Sequence, residues 1–116
     1  MSSTLDLTFI RQMMGNDEKV VQRFLTIFKD QCPRQLQELK EHYAAHHWPE
    51  LSTVAHSLKT QFKYLSIETL AAQVYEIETR AEEPPATAAQ IDELGSLIRL
   101  FETELHDLLN DARLPS

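Results

Sequence analysis

Near the middle of the chain His56 is followed by Lys59 and, a further turn on, by Lys63. At 3.6 residues per turn the three side chains share one side of a helix. An imidazole of ordinary pKa, near 6.5, is largely neutral at neutral pH and offers a nitrogen lone pair as a nucleophile. Two ammonium groups beside it supply charge that can hold an incoming phosphoryl group. The surrounding composition fits that pairing. From Leu51 to Ile67 there is no Asp or Glu, so this window carries +2 from Lys59 and Lys63, and the rest of the chain carries −9, which together give the formal charge of −7.

A helical wheel places the group. With Leu51 at zero, Val54, Ala55, Leu58 and Phe62 fall within about 60° and define the buried stripe, while His56 falls about 140° away. Ser52, Lys59, Thr60 and Lys63 share its exposed side. The machinery for making phosphoryl groups is missing around it. Gly15 and Gly95 are the only glycines, which excludes a Gly-rich phosphate loop. His42 and His46 have metal-ligand spacing beside His47, but nothing local completes a set beyond Glu38 and Glu41, and they read as a solvated helix terminus; His106 is isolated. Ser57 and Thr60 lack the partners of a hydrolase triad. A nucleophile with phosphate-holding cations, no nucleotide loop and no metal ligands points to a carrier of phosphate rather than an enzyme that makes it.

The elements that must position this group are all helical. Apolar residues recur at helical spacing nearly throughout, and no stretch alternates with period two long enough for a strand. A short first helix carries Leu7, Ile10 and Met14, closed by Gly15. Asn16 is the expected cap of the second, which points Val20, Val21, Phe24, Leu25 and Phe28 inward and resumes at Leu36, Leu39 and Tyr43. Pro33 predicts a kink or break near residues 29 to 33. The third helix begins at Trp48-Pro49 and ends near Lys63 or Tyr64. Ser66 is the expected cap of the fourth, whose stripe is Ile67, Leu70, Ala71, Val74 and Ile77. Thr87 to Gln90 form a capping box that opens the fifth, with Ile91, Leu94, Ile98, Phe101, Leu105 and Leu108 inward. Short connections between amphipathic helices predict an all-α fold, an antiparallel up-down four-helix bundle with the short first helix as a lid.

With 116 residues, 42% apolar and 25% charged, the chain is expected to form one domain over residues 1–116. Its acidic balance argues against nucleic acid. No apolar run exceeds three residues, so no membrane span is expected. Cys32 is alone and reads as a small buried hydrophobe in a reducing compartment, and the N-terminus has no secretory pattern, so the expected location is cytoplasmic. The apolar stripes are about as wide as one bundle buries, which predicts a monomer.

The run Val54-Ala55-His56-Ser57-Leu58-Lys59-Thr60, followed by Leu65-Ser66 and Leu70-Ala71, resembles the signature of the histidine-containing phosphotransfer (HPt) domain. Trp48 after a turn, the proline-bearing second helix with Phe24 and Phe28, and the overall length extend the resemblance over the whole chain. It implies that His56 is the phosphoacceptor at Nε2, that Lys59 stabilises the phosphoryl group, and that Glu78 orients the ring through its other nitrogen. On a wheel of the fourth helix Glu78 lies roughly 50° from the apolar centre and can face the third helix, whereas Glu76 points away. The resemblance further implies a stand-alone phosphorelay protein. It would take phosphate from a receiver-domain phospho-aspartate, as on a hybrid sensor histidine kinase, and pass it to a response regulator. Ser52, Thr60 and Lys63 would lie in the docking surface. No cofactor is implied, Mg²⁺ belonging to the receiver. The alternative is a helical adaptor that binds receiver domains without carrying phosphate. The chain departs from the family at Thr60 and Ser66, where many members have glycine, and over Gln61 to Tyr64, which is bulkier and more basic.

Overall fold

A computed structural model describes residues 7–111 and Leu114. Among them are five α-helices and no strand: α1 (Thr8–Met13), α2 (Glu18–Ala44), α3 (Trp48–Tyr64), α4 (Glu68–Glu82) and α5 (Ala88–Leu109).

Local chemistry accounts for most boundaries. The Thr87 hydroxyl accepts from Gln90 N–H at 3.1 Å and the Gln90 side chain accepts from Thr87 N–H, the reciprocal box expected from sequence. Two caps differ from expectation. Asp17, not Asn16, caps α2, its carboxylate accepting from Lys19 N–H and Val20 N–H; a charged oxygen at the positive end of the helix is the better acceptor. Ser66 does not cap α4 either, because it belongs to the end of α3.

Three helices end the same way. Gly15, His46 and Ser66 adopt left-handed conformations with φ of 63°, 59° and 57°. Ile67 N–H then reaches Phe62 C=O at 2.9 Å and Ser66 N–H reaches Lys63 C=O at 3.1 Å, with equivalent pairs after α1 and α2. This is the Schellman ending, in which reversed backbone satisfies the last carbonyls. Only one of the three positions is glycine, and the αL region costs other residues roughly 1 kcal/mol.

Of the kink or break expected near residues 29 to 33, the break is absent: α2 runs 27 residues without interruption through Pro33. Pro33 is exposed, so its ring does not disturb the apolar stripe of Val21, Leu25, Phe28, Cys32, Leu36 and Leu39, all buried. An interior proline costs about 3 kcal/mol. Burying each of the larger side chains contributes about 1.5–3 kcal/mol, so an unbroken stripe outweighs one missing donor. Val20, by contrast, is half-exposed rather than inward.

Packing holds α3 between two neighbours: it lies against α2 and α4, while α5 contacts α4 and α2, and α1 contacts α2. Phe62 stacks edge-on with Phe28 of α2 at 6.0 Å and Phe101 of α5 at 5.8 Å, tying three helices at one level. Along α2 and α3, Tyr43 meets Trp48, Gln35 meets Ser57 and Phe28 meets Phe62, so the two helices run in opposite directions. Between α2 and α5, Tyr43 Oη donates to Ile91 C=O at 2.8 Å. The phenol fits because Gly95 is bare; a Cβ there would stand 2.9 Å from Tyr43 Cζ. Lys40 pairs with Glu102 on the same seam at 3.0 Å.

Two stability changes follow, both read by urea unfolding. Ser66→Gly relieves the left-handed strain and raises stability by about 1 kcal/mol. Gly95→Ala drives Tyr43 off its seat and lowers it by about 1–3 kcal/mol.

Candidate functional site

The buried stripe of α3, Leu51, Ala55, Leu58 and Phe62, points its opposite face outward, and His56 leaves that face with 61% of its side chain exposed. Its Nδ1 lies 2.8 Å from Glu78 Oε2 on α4. Glu78 sits beside the α4 stripe of Leu70, Ala71, Val74, Ile77 and Ala81, and its side chain is only 8% exposed. Its second oxygen, Oε1, is 2.8 Å from Lys59 Nζ. One carboxylate therefore bridges a histidine and a lysine that stand one turn apart on the neighbouring helix.

The bridge fixes the ring chemistry. An ionised carboxylate only accepts, so Nδ1 carries the hydrogen, and in the neutral ring Nε2 keeps its lone pair. Burial by itself pushes the Glu78 carboxyl up, but the contacts and charges of Lys59 and His56 outweigh it and hold the acid below its ordinary value. Burying a charge without such partners would be strongly unfavourable.

Lys59 differs from the wheel expectation. Rather than standing in solvent it is 13% exposed, its stem laid across to α4, with Nζ 4.8 Å from the centre of the Tyr75 ring. Long side chains escape wheel arithmetic because their heads can travel several ångströms from the Cβ direction.

The remaining predicted residues surround this core without joining it. Ser52 Oγ donates to the Glu78 carbonyl at 3.5 Å, and Thr60 Oγ1 donates back to the His56 carbonyl at 3.2 Å. Lys63 is exposed and lines a groove of about 420 Å³ with Phe9, Ser66, Ile67, Glu68 and Ala71. Two features had no sequence assignment. Gln61 donates to Gln35 at 2.8 Å and Gln35 to Ser57 at 3.1 Å, a polar clasp between α2 and α3 beside the histidine. Tyr75 is the other, and its spacing three residues before Glu78 was the available signal.

The other constellations have ordinary partners. His46 stacks on Trp48 at 5.0 Å, and His47 lies 3.9 Å from Glu50. Cys32 is buried, and burial pushes its thiol up to about 12. Among the described residues no group of three or more His, Cys, Asp or Glu could hold a metal ion, and no helix is long and apolar enough to cross a membrane.

A family model described as the Hpt domain matches residues 23–114, most of the chain. No curated protein and no solved structure matches it.

The Glu78 bridge has a pH signature. Because folding lowers the pKa of this acid from its ordinary 4.5, its contribution to stability is complete above that value and disappears as pH falls through the folded one. Compared with Glu78→Gln in urea melts, the wild type should therefore hold an advantage at pH 7 that shrinks steadily below about pH 4.5.

Proposed function

The chain belongs to the Hpt domain family, whose members are phosphocarrier modules of phosphorelay signalling, and from that premise we propose that His56 is the phosphoryl-carrying residue. One observation carries the assignment. His56 is the exposed imidazole whose Nδ1 is held by a buried carboxylate, with an ammonium on the carboxylate's other oxygen.

In the proposed step, the Nε2 lone pair attacks the phosphorus of a receiver phospho-aspartate. The N–P bond forms as the P–O bond to the aspartate breaks, and the bonding electrons leave with the aspartate carboxylate. Positive charge gathers on the ring, and Glu78 at Nδ1 offsets it. Lys59 balances the negative phosphoryl oxygens. Running the same step backwards delivers the group to the aspartate of a response regulator. The chain itself acts as carrier and not as kinase, with Mg²⁺ bound on the receiver side. A hybrid sensor histidine kinase is the proposed donor.

The supporting scaffold is proposed to be a single domain over residues 1–116, with α2 to α5 as an antiparallel up-down four-helix bundle in a cytoplasmic monomer. A receiver would approach the outward face of α3, over Ser52, Thr60 and Lys63. Thr60 stands one turn beyond His56 and is half-buried, so its side chain adds bulk at the edge of the approach.

Incubation with a ³²P-labelled phosphoreceiver tests the assignment. Label that is stable in base and labile in acid should appear on the wild type and be absent from His56→Gln, while Lys59→Met should slow its arrival by about tenfold. Equal labelling of His56→Gln would sink the proposal.

A further inference from the structure

Lys59 touches Glu78 on one side and the ring of Tyr75 on the other. Its Nζ is 4.8 Å from the ring centroid, within the range of cation–π attraction. Tyr75 and Glu78 are three residues apart on α4, so they meet the same stretch of α3 one above the other. The two partners hold an ammonium differently. The carboxylate makes a short ion contact at 2.8 Å, whereas the face of a ring attracts over a broad range of positions and occupies no hydrogen-bond donor.

That difference matters once a phosphoryl group sits on Nε2. The group brings negative charge beside an ammonium already paired with Glu78, so Lys59 must be shared between two anions. A lysine held by Glu78 alone would have to leave its only anchor to do so, and its flexible four-carbon stem would lose a defined position. With Tyr75 beneath it, the ammonium can turn and stay in place.

We propose that Tyr75 is a positioning residue for phosphoryl transfer: its ring keeps Lys59 at the site while the ammonium passes between Glu78 and the phosphoryl group on His56. This rests on His56 being the phosphocarrier. Tyr75 is 54% exposed, so replacing it leaves the core intact.

Phosphoramidate serves as the probe, since it transfers its phosphoryl group to a histidine nitrogen as its own P–N bond breaks and ammonia leaves. Uptake should be about fivefold slower in Tyr75→Leu and within about twofold of wild type in Tyr75→Phe, which keeps the ring. In a Lys59→Met background, Tyr75→Leu should have no further effect. Proton NMR gives a readout independent of transfer: the Lys59 side-chain methylenes should be shifted upfield by the ring in wild type and Tyr75→Phe, and not in Tyr75→Leu. The inference is overturned if Tyr75→Leu takes up label at the wild-type rate, if Tyr75→Phe is as slow as Tyr75→Leu, if the loss persists in Lys59→Met, or if the upfield shift is missing from the wild type. Failure of the wild type to take up any label, or equal uptake by His56→Gln, would instead overturn the phosphocarrier reading beneath it.

Discussion

A carboxylate that is almost wholly buried must find positive or hydrogen-donating partners, and Glu78 finds both on one helix. Much else follows from that requirement. The α3–α4 seam has to bring two residues of α3, one turn apart, to a single side chain of α4. The same contact that makes the buried charge tolerable also sets the tautomer of an exposed ring, so packing and chemistry are one interaction here. An uncompensated Glu78 would either take up a proton or open the seam, and in both cases His56 would lose its orientation.

The rest of the bundle keeps that seam still. Phe62, two turns beyond the level of Ala55 on the inward side of α3, is gripped by aromatic rings from α2 and α5. Gln35 and Gln61 tie the flank of α3 to α2 beside Ser57. On the far seam, bare Gly95 admits the Tyr43 ring, and the phenol hydroxyl closes on α5. The first two contacts brace α3 directly and the third braces α2 against α5, and all of them leave the outward face of α3 clear.

Periodicity made the helices legible, and the acid-free window around His56 made the candidate site legible, because both depend on positions along one helix. The Glu78 contact was also within reach, since a wheel angle states which neighbour a short side chain can face. What escaped depended on competition or on side-chain length. Whether Asn16 or Asp17 caps α2 is decided by charge and by backbone, since Asn16 is left-handed at φ 59° and Asp17 has the extended backbone a cap needs. Whether Pro33 breaks a helix depends on how much burial lies on both sides of it. Lys59 was assigned to the surface because a wheel records where a side chain starts, and its ammonium ends against α4. The only trace of Tyr75 in the sequence is its place three residues before an acid, a spacing that gains its meaning once a cation lies between them.

The turn from Leu65 to Ile67 joins α3 to α4 in three residues, locked by the left-handed Ser66. His56 lies nine residues before the turn and Glu78 eleven residues after it, so at about 1.5 Å per residue the two helices carry them back to nearly the same height. The turn thus acts as a ruler. One residue more or less between His56 and Glu78 would displace the carboxylate by about 1.5 Å and rotate it by about 100°, out of reach of both partners. Lengths within the segment from His56 to Glu78 are therefore quantised by the helix itself.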